Sequence, residues 1–305
     1  MKLLIIGGAK SAVTDELRAY YDEYIDFFKK SSRYSDDETI VESAMTDDFI
    51  ISVGDGEFTI FDTRNGRDLA DYDALFIRAA KSRDYIDLIA TINEFARINR
   101  IPIINDYSGI RDSSKLLQAV QFHELDAPVA RTVFVNNAVI NNEQQVGWEF
   151  PSIMKAVHGS HGNDNYVVKN MDDVKNHVAD QPDKRFVLQR FVPNDGDFRI
   201  LIIGNEVLVI ERKAVSGSHL NNTSQGGTAG SVDVSSLPAG MVEKAKDIMT
   251  YLNKTIGGVD VLIDRETKQF YFLEINSQPQ LMTGAFVDEK EKMVGKLLAE
   301  LSHKG

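Results

Sequence analysis

The chain has 305 residues, 43% hydrophobic and 26% charged, with a net charge of −12 and no cysteine. That length supports two or three packed units with a substantial core, and the composition is that of an ordered globular protein. The acidic balance argues against a broad grip on nucleic acid or an anionic membrane, and the lack of thiols excludes disulfides, thiolate nucleophiles and cysteine-ligated zinc.

The opening MKLLIIGGAK carries an apolar run that stops at Gly7-Gly8. It is too short for a secretory core or a membrane span, so a cytoplasmic protein is expected. Lys2–Ile6 reads as a buried strand, Gly7-Gly8 as a turn, and Thr14 to Lys30 as a helix capped by Thr14. The two glycines match neither the dinucleotide fingerprint nor the P-loop, so a close strand-to-helix turn is the simpler reading. Phe49–Val53 and Glu57–Asp62 flank Gly54-Asp55-Gly56 as a hairpin. A strand at Ala74–Arg78, an amphipathic helix at Tyr85–Asn99 and a strand at Ile101–Asn105 complete an α/β unit, given the boundaries 1–108.

A second unit, 109–187, begins with a helix capped at Ser113-Ser114 and running to about Leu125. Extended chain follows over Ala130–Val135, then a polar connection from Asn136 to Gly147. Phe150–Val157 is a strand with Lys155 inside it, and an embedded ammonium needs water or a partner. The loop from His158 to Asn165 is small and polar. Its backbone amides are suited to close over phosphate oxygens with Lys155 beneath them, although a plain hairpin loop has the same composition.

The third unit, 188–305, starts in the strand Arg185–Val192, whose Gln189 sits among apolar residues. Asp197–Gly204 and Glu206–Val215 form a hairpin about Gly204-Asn205, and Ser216–Ser231 is long enough to be a lid or binding loop. Met241–Lys254 is a helix, and Asp288–His303 closes the chain as another. Between them, Gly258–Asp264 and Gln269–Asn276 make a hairpin around Arg265–Lys268. Val259, Val261 and Ile263 should share an apolar face with Tyr271, Leu273 and Ile275. Asp260, Glu274 and Asn276 occupy the other. An even register sets Asp260 opposite Glu274, and two carboxylates roughly 5 Å apart need a positive charge between them. Magnesium, which takes oxygen ligands and bridges carboxylates to phosphates, suits that place; a solvated polar face is the alternative.

Taken in order, several pieces resemble the ATP-grasp superfamily, and within it the RimK-like and glutathione synthetase-like ligases. They are Lys115 in SSKLLQ, Lys155 in PSIMKAVHGSHG, Gln189 in LQRFV, the stretch DFRILIIGNEVLVIERKA, Asn222 with Gly226-Gly227, and GVDVL followed by FLEIN. The resemblance runs from about Ser113 to the C-terminus; before Asp106 only the α/β character agrees. It implies an ATP-grasp fold, α/β with α+β character in its C-terminal part, behind an N-terminal Rossmann-like domain. It also implies an ATP-dependent ligase that joins an amine to a carboxylate activated as an acyl phosphate, adding an amino acid to a peptide or a small molecule.

By the same resemblance, Lys115 and Lys155 contact the ATP phosphates and the loop holding Gly159, Ser160 and Gly162 closes over them. Gln189, Arg190, Phe191 and Val192 form the strand that reads adenine, and Asp197 and Arg212 belong to the nucleotide pocket. Arg199 sits by the transferred phosphate, with Lys155 as the other catalytic cation. Asp260, Glu274 and Asn276 hold magnesium, with manganese as the substitute. The partners implied are ATP, a carboxylate-bearing peptide or small molecule and an amine, without nucleic acid or membrane, and homo-oligomerisation stays open. Leu220 and Gln225 stand where glutamate-adding relatives carry arginines, which points to a neutral or basic substrate there unless Arg212 and Lys213 restore an acidic preference. Ser277-Gln278-Pro279-Gln280 departs from the family's usual continuation beside the acceptor. An ATP-grasp kinase and a noncatalytic nucleotide-binding module remain the other readings.

Overall fold

A computed structural model describes residues 1–8, 14–35, 38–78, 86–106, 114–142, 148–158, 164–213 and 228–303. The first unit is a parallel sheet of β1 (Lys2–Gly7), β2 (Ile40–Met45), β6 (Ala74–Ile77) and β7 (Ile103–Ile104), in the order β2-β1-β6-β7. Its inner strands β1 and β6 read as continuous apolar runs because both their faces are covered. Leu3, Ile5 and Phe76 pack under α1 (Asp15–Ser31), while Leu4, Ile6 and Leu75 pack under α2 (Ile86–Asn99). The expected hairpin is present as β3 (Phe49–Gly54) and β4 (Glu57–Asp62), extended by the short β5 (Arg67–Asp68).

The middle of the chain is an antiparallel sheet in the order β10-β9-β11-β8, built from β8 (Thr132–Phe134), β9 (Ser152–Ala156), β10 (Asn165–Val168) and β11 (Phe186–Arg190). α3 (Lys115–Glu124) precedes it, with Ser114 accepting a capping hydrogen bond from the Leu117 N–H. Two helices depart from the sequence reading. The polar connection after residue 135 contains α4 (Asn137–Asn141), capped by Asn136, and α5 (Met171–Asp180) follows β10. Asn170 caps α5, Asp172 and Asp173 face its positive end, and Met171 and Val174 fill the core of the middle sheet.

The last unit is a five-stranded sheet, β14-β13-β12-β15-β16. Its members are β12 (Asp197–Ile203), β13 (Glu206–Lys213), β14 (Thr228–Val232), β15 (Ile256–Ile263) and β16 (Phe270–Asn276). β14 occupies the end of the stretch read as a long loop. One face buries Ile200, Ile202, Val259, Val261 and Phe272 against α6 (Met241–Tyr251). On the opposite face Leu201, Ile203 and Ile256 meet α7 (Val287–Ser302) and α1, so a single core joins the first and last units.

The β15–β16 register shifts between Asp260 and Val261. Val261 pairs with Phe272 but Asp260 pairs with Glu274, which leaves Leu273 as the extra residue of a bulge. The bulge corrects the expected alternation. Phe270 and Phe272, rather than Tyr271 and Leu273, turn to the core, and the Phe272 ring lies 6.0 Å from Phe122. It also sets Glu274 across from Asp260; the register that holds nearer the turn would have placed Leu273 there.

Candidate active site

The face of the five-stranded sheet that meets α7 changes character along its length. At one end it is apolar, with Leu201, Ile203 and Ile256. At the other, the register aligns Arg212 with Asp197, Arg199 with Asp260, Asp260 with Glu274, and Gly258 with Asn276. Strand alternation therefore presents two arginines, three carboxylates and an amide on one surface.

Asp260 is the hub. Arg199 donates to it bidentately, Nε to Oδ1 and Nη2 to Oδ2, each at 2.8 Å, and Arg212 Nη2 lies 2.9 Å from Oδ2. Burial alone would raise this carboxyl, but the two guanidiniums outweigh it and hold Asp260 down at about 2. Arg212 also forks onto Asp197, with contacts of 2.6 and 2.8 Å. Burial pushes Asp197 up to about 6 against the pull of Arg212, and the neighbouring Asp260 charge adds to the rise. The positive charge that the facing carboxylates need is thus already supplied in part by arginine. Lys115 Nζ, 3.4 Å from Glu274 Oε2, supplies more.

The middle sheet contributes Lys155, whose Nζ donates to Gln189 Oε1 at 2.8 Å; Gln189 Nε2 in turn donates to Thr132 Oγ1 at 3.1 Å. The buried Gln189 side chain is therefore a holder for Lys155. Burial lowers the Lys155 ammonium from its ordinary range, Glu274 pulls it back up, and Lys115 adds to the lowering. Lys115 heads α3, and its backbone N–H donates to the Val157 carbonyl at 3.2 Å, fastening the helix to the end of β9. Arg190 lies over the Tyr271 ring at 5.1 Å, and Val192 is buried in the connection between the two sheets. Gly159, Ser160 and Gly162, like Leu220, Asn222, Gln225 and Gly226-Gly227, lie outside the described residues.

Asp260, Glu274 and Asn276 share the face, and their oxygens form a hard donor set of the kind magnesium takes. Among the described residues no three His, Asp or Glu side chains form a metal cluster, so the candidate set is two carboxylates and an amide oxygen. Asn276 Oδ1 accepts the Gln278 N–H at 3.0 Å, which turns the chain directly after β16.

Three positioning residues escaped the sequence reading. Gln118 on α3 accepts the Ile275 N–H at 3.0 Å and donates to its carbonyl at 3.3 Å, gripping the peptide between Glu274 and Asn276. Asn105 is buried, in the left-handed region at φ 59°, and makes four hydrogen bonds of 2.7–2.9 Å to residues 255, 256 and 277. Lys290 on α7 is buried and donates to the Thr283 carbonyl at 3.0 Å. Its signal was a lysine on the stripe of Met293, Val294 and Leu297, where a helix meets a core.

The chain has relatives among known proteins. A probable alpha-L-glutamate ligase of Shewanella halifaxensis is 28% identical over 251 residues, covering 76% of this chain and 53% of the relative. The chain thus spans about half the length of that protein. A probable alpha-L-glutamate ligase of Klebsiella pneumoniae is 26% identical, covering 71% of this chain and 72% of its own. In fold, the chain is similar to a RiPP-associated ATP-grasp ligase of Chryseobacterium gregarium solved with ADP and a leader and core peptide, with a TM-score of 0.67 at 14% identity over 100% of this chain and 98% of that one. The model of the RimK-like ATP-grasp domain matches residues 110–299, which takes in α3, both antiparallel sheets and the charged face between them, and the chain belongs to that family.

Proposed function

We propose that the protein is an ATP-dependent carboxylate–amine ligase. The family uses ATP and a divalent metal, and for this chain the metal is taken to be magnesium. The γ-phosphoryl group passes from ATP to a carboxylate oxygen, releasing ADP. The amine nitrogen then attacks the acyl carbon, phosphate leaves, and the nitrogen gives up a proton as the amide forms. Such chemistry asks the protein for positioning and charge rather than for a nucleophile of its own. The carrying observation is the convergence of Lys115, Lys155, Arg199, Asp260, Glu274 and Asn276 from two sheets and one helix onto a single surface.

In this reading Lys115 and Lys155 hold the phosphates, Gln189 fixes Lys155, and residues 189–192 border the base. Asp260, Glu274 and Asn276 would hold magnesium, which neutralises phosphoryl charge when bound. Arg199 keeps Asp260 ionised and stands next to the transferred group. The division at 1–108, 109–187 and 188–305 follows: the first unit braces the last, and nucleotide enters between the middle sheet and the five-stranded sheet.

The test is incubation with magnesium-ATP, a cell extract as acceptor source and each amino acid in turn, followed by ADP release and product mass. An amide product with ADP is expected. A phosphoester would make the chain a kinase, and no ATP turnover with any mixture would make it a silent nucleotide-binding module.

A further inference from the structure

The parallel sheet of the first unit has two edges. Asn105 follows β7 and ties that edge to the last unit, whereas β2, at the other edge, pairs with β1 alone among the described residues. The Ile40 N–H donates to the Met1 carbonyl at 2.8 Å. In a parallel ladder this turns the backbone groups of residues 40, 42 and 44 to β1 and those of residues 41, 43 and 45 outward. Asp48 Oδ2 takes the Met45 N–H at 2.8 Å. Val41 and Ser43 are left with two donors and two acceptors that find no partner on the outer side among the described residues.

Val41 and Ser43 help to line a cavity of about 470 Å³ that opens to solvent, well inside the roughly 300–1,000 Å³ of ligand sites. It has walls on both faces of the sheet. Asp22, Asp26 and Lys29 of α1 line one side, where Val41 joins the core under that helix. Glu42 points the other way, to Asn65 and Arg67, and Arg64 lies on that side. A strand laid along β2 would therefore send alternate side chains to α1 and to the turn at residues 64–65. Arg64 is held by Asp62 and Asp48, and Glu42 by Arg67. Asp22, Asp26 and Lys29 are exposed and form no ion pair among the described residues, which leaves one negative charge in surplus along the α1 wall.

We infer that the β2 edge is a docking groove for an extended polypeptide segment of a partner, one that carries lysine or arginine at alternate positions. The Val41 and Ser43 backbone groups hold the segment as an added strand, and the α1 wall selects its side chains. Asp22 and Asp26, one turn apart, are separated by about 6 Å along the helix, close to the ~6.8 Å between alternate side chains of a strand. Like charges so spaced weaken a helix until cations lie against them. A second copy of this chain does not fit, because its β2 offers Glu42 and no base and would bring another Asp22–Asp26 pair against the first. The groove precedes the match to the ATP-grasp domain, which starts at residue 110, and no residue of the reaction surface lines it. The partner thus docks apart from the phosphates.

The test is fluorescence anisotropy on the full chain without nucleotide, joined to amide hydrogen exchange. The probes are short capped threonine peptides bearing two lysines at alternate positions, two glutamates at the same positions, or two adjacent lysines. The alternate-lysine peptide should bind about tenfold more tightly than either control, the worth of one charge-assisted contact, and should slow exchange at the Val41 and Ser43 amides. Asp22→Asn combined with Asp26→Asn, both on the exposed side of α1, should bring its affinity down to that of the controls. Ser43→Pro removes an outward N–H at an edge position and should weaken the same peptide; if that variant does not fold, the double asparagine variant decides. Equal binding of the three peptides, no binding of any, undiminished binding to the double variant, or binding that leaves the Val41 and Ser43 amides unprotected overturns the docking groove. Protection of those amides that grows with protein concentration in the absence of peptide assigns the edge to a second copy and overturns it too. No readout passes through ATP turnover, so failure of the ligase reading and failure of the groove are separate results.

Discussion

Two charge clusters, one in the first unit and one in the last, do different things. In the first, Arg64 forks onto Asp62 at 3.0 and 2.6 Å and lies 3.4 Å from Asp48. Both acids also accept backbone N–H groups, Asp62 from Arg64 and Asp48 from Met45. The cluster closes the base of the β3–β4 hairpin and is a fastener. In the second, Arg199, Arg212, Asp197 and Asp260 hold one another by side chains across three strands, beside a cavity and a further lysine. Burial of an ion pair therefore says little about function by itself. What separates the two is whether the pairing ends on backbone or on other movable charges, and whether cation is left over next to open space.

Substitutions sharpen that contrast. Glu274→Gln, which takes one anion from the second cluster's rim, should lower magnesium-dependent ATP turnover by about three decades or more while the melting temperature stays near wild type; normal turnover would refute the metal assignment. Asp62→Ala should do the reverse, costing about 1–3 kcal/mol in urea unfolding by removing the bonds to the partly exposed Arg64, which keeps Asp48, with nucleotide affinity unchanged in the folded protein. Gln118→Leu removes both bonds to Ile275 and should cost about 1–3 kcal/mol. It should also weaken manganese binding with the ATP analogue severalfold by electron paramagnetic resonance; if stability alone moves, Gln118 serves the fold and not the site.

The smallest effect has the opposite sign. The Lys290 ammonium titrates lower in the folded chain than in the unfolded one, so between about 8 and the ordinary lysine range the unfolded chain binds more protons and wild-type stability rises with pH. Below that window the buried charge is a burden. Lys290→Met should therefore stabilise the protein at pH 7 by about 1–2 kcal/mol after solvent screening, and the gain should fade as the pH approaches 10.5. A loss of stability at pH 7 would show that Lys290 is already compensated.

Much of this was legible in the residues. Ser114 announced α3, Gly54-Asp55-Gly56 announced the first hairpin, and Asp260 and Glu274 were expected to oppose each other. That last expectation was right about the pair and wrong about part of the strand, because an even alternation cannot foresee a bulge at Leu273. α5 had its cap, its acidic first turn and its apolar spacing in plain view at Asn170, Asp172, Asp173 and Val174. Asn105 and Gln118 are different. Their partners lie far along the chain or depend on how a helix seats, as when Asn105 bonds to residue 277, so local pattern carried no trace of their roles.

Asn105 has a mechanical consequence. One side chain, with its four bonds, ties the end of the parallel sheet to the start of β15 and to the residue just past β16. The Lys254 ammonium adds a second tie, donating to the Asp106 carbonyl at 2.7 Å. The first and last units are thereby one anvil, and Glu274 and Asn276 are part of it. Any closing stroke over a nucleotide would then be carried by the middle sheet, which the chain joins to the rest through residues 125–131 and 191–196. Distances between spin labels at residues 175 and 246 should shorten when nucleotide binds, while those between residues 94 and 246 stay fixed.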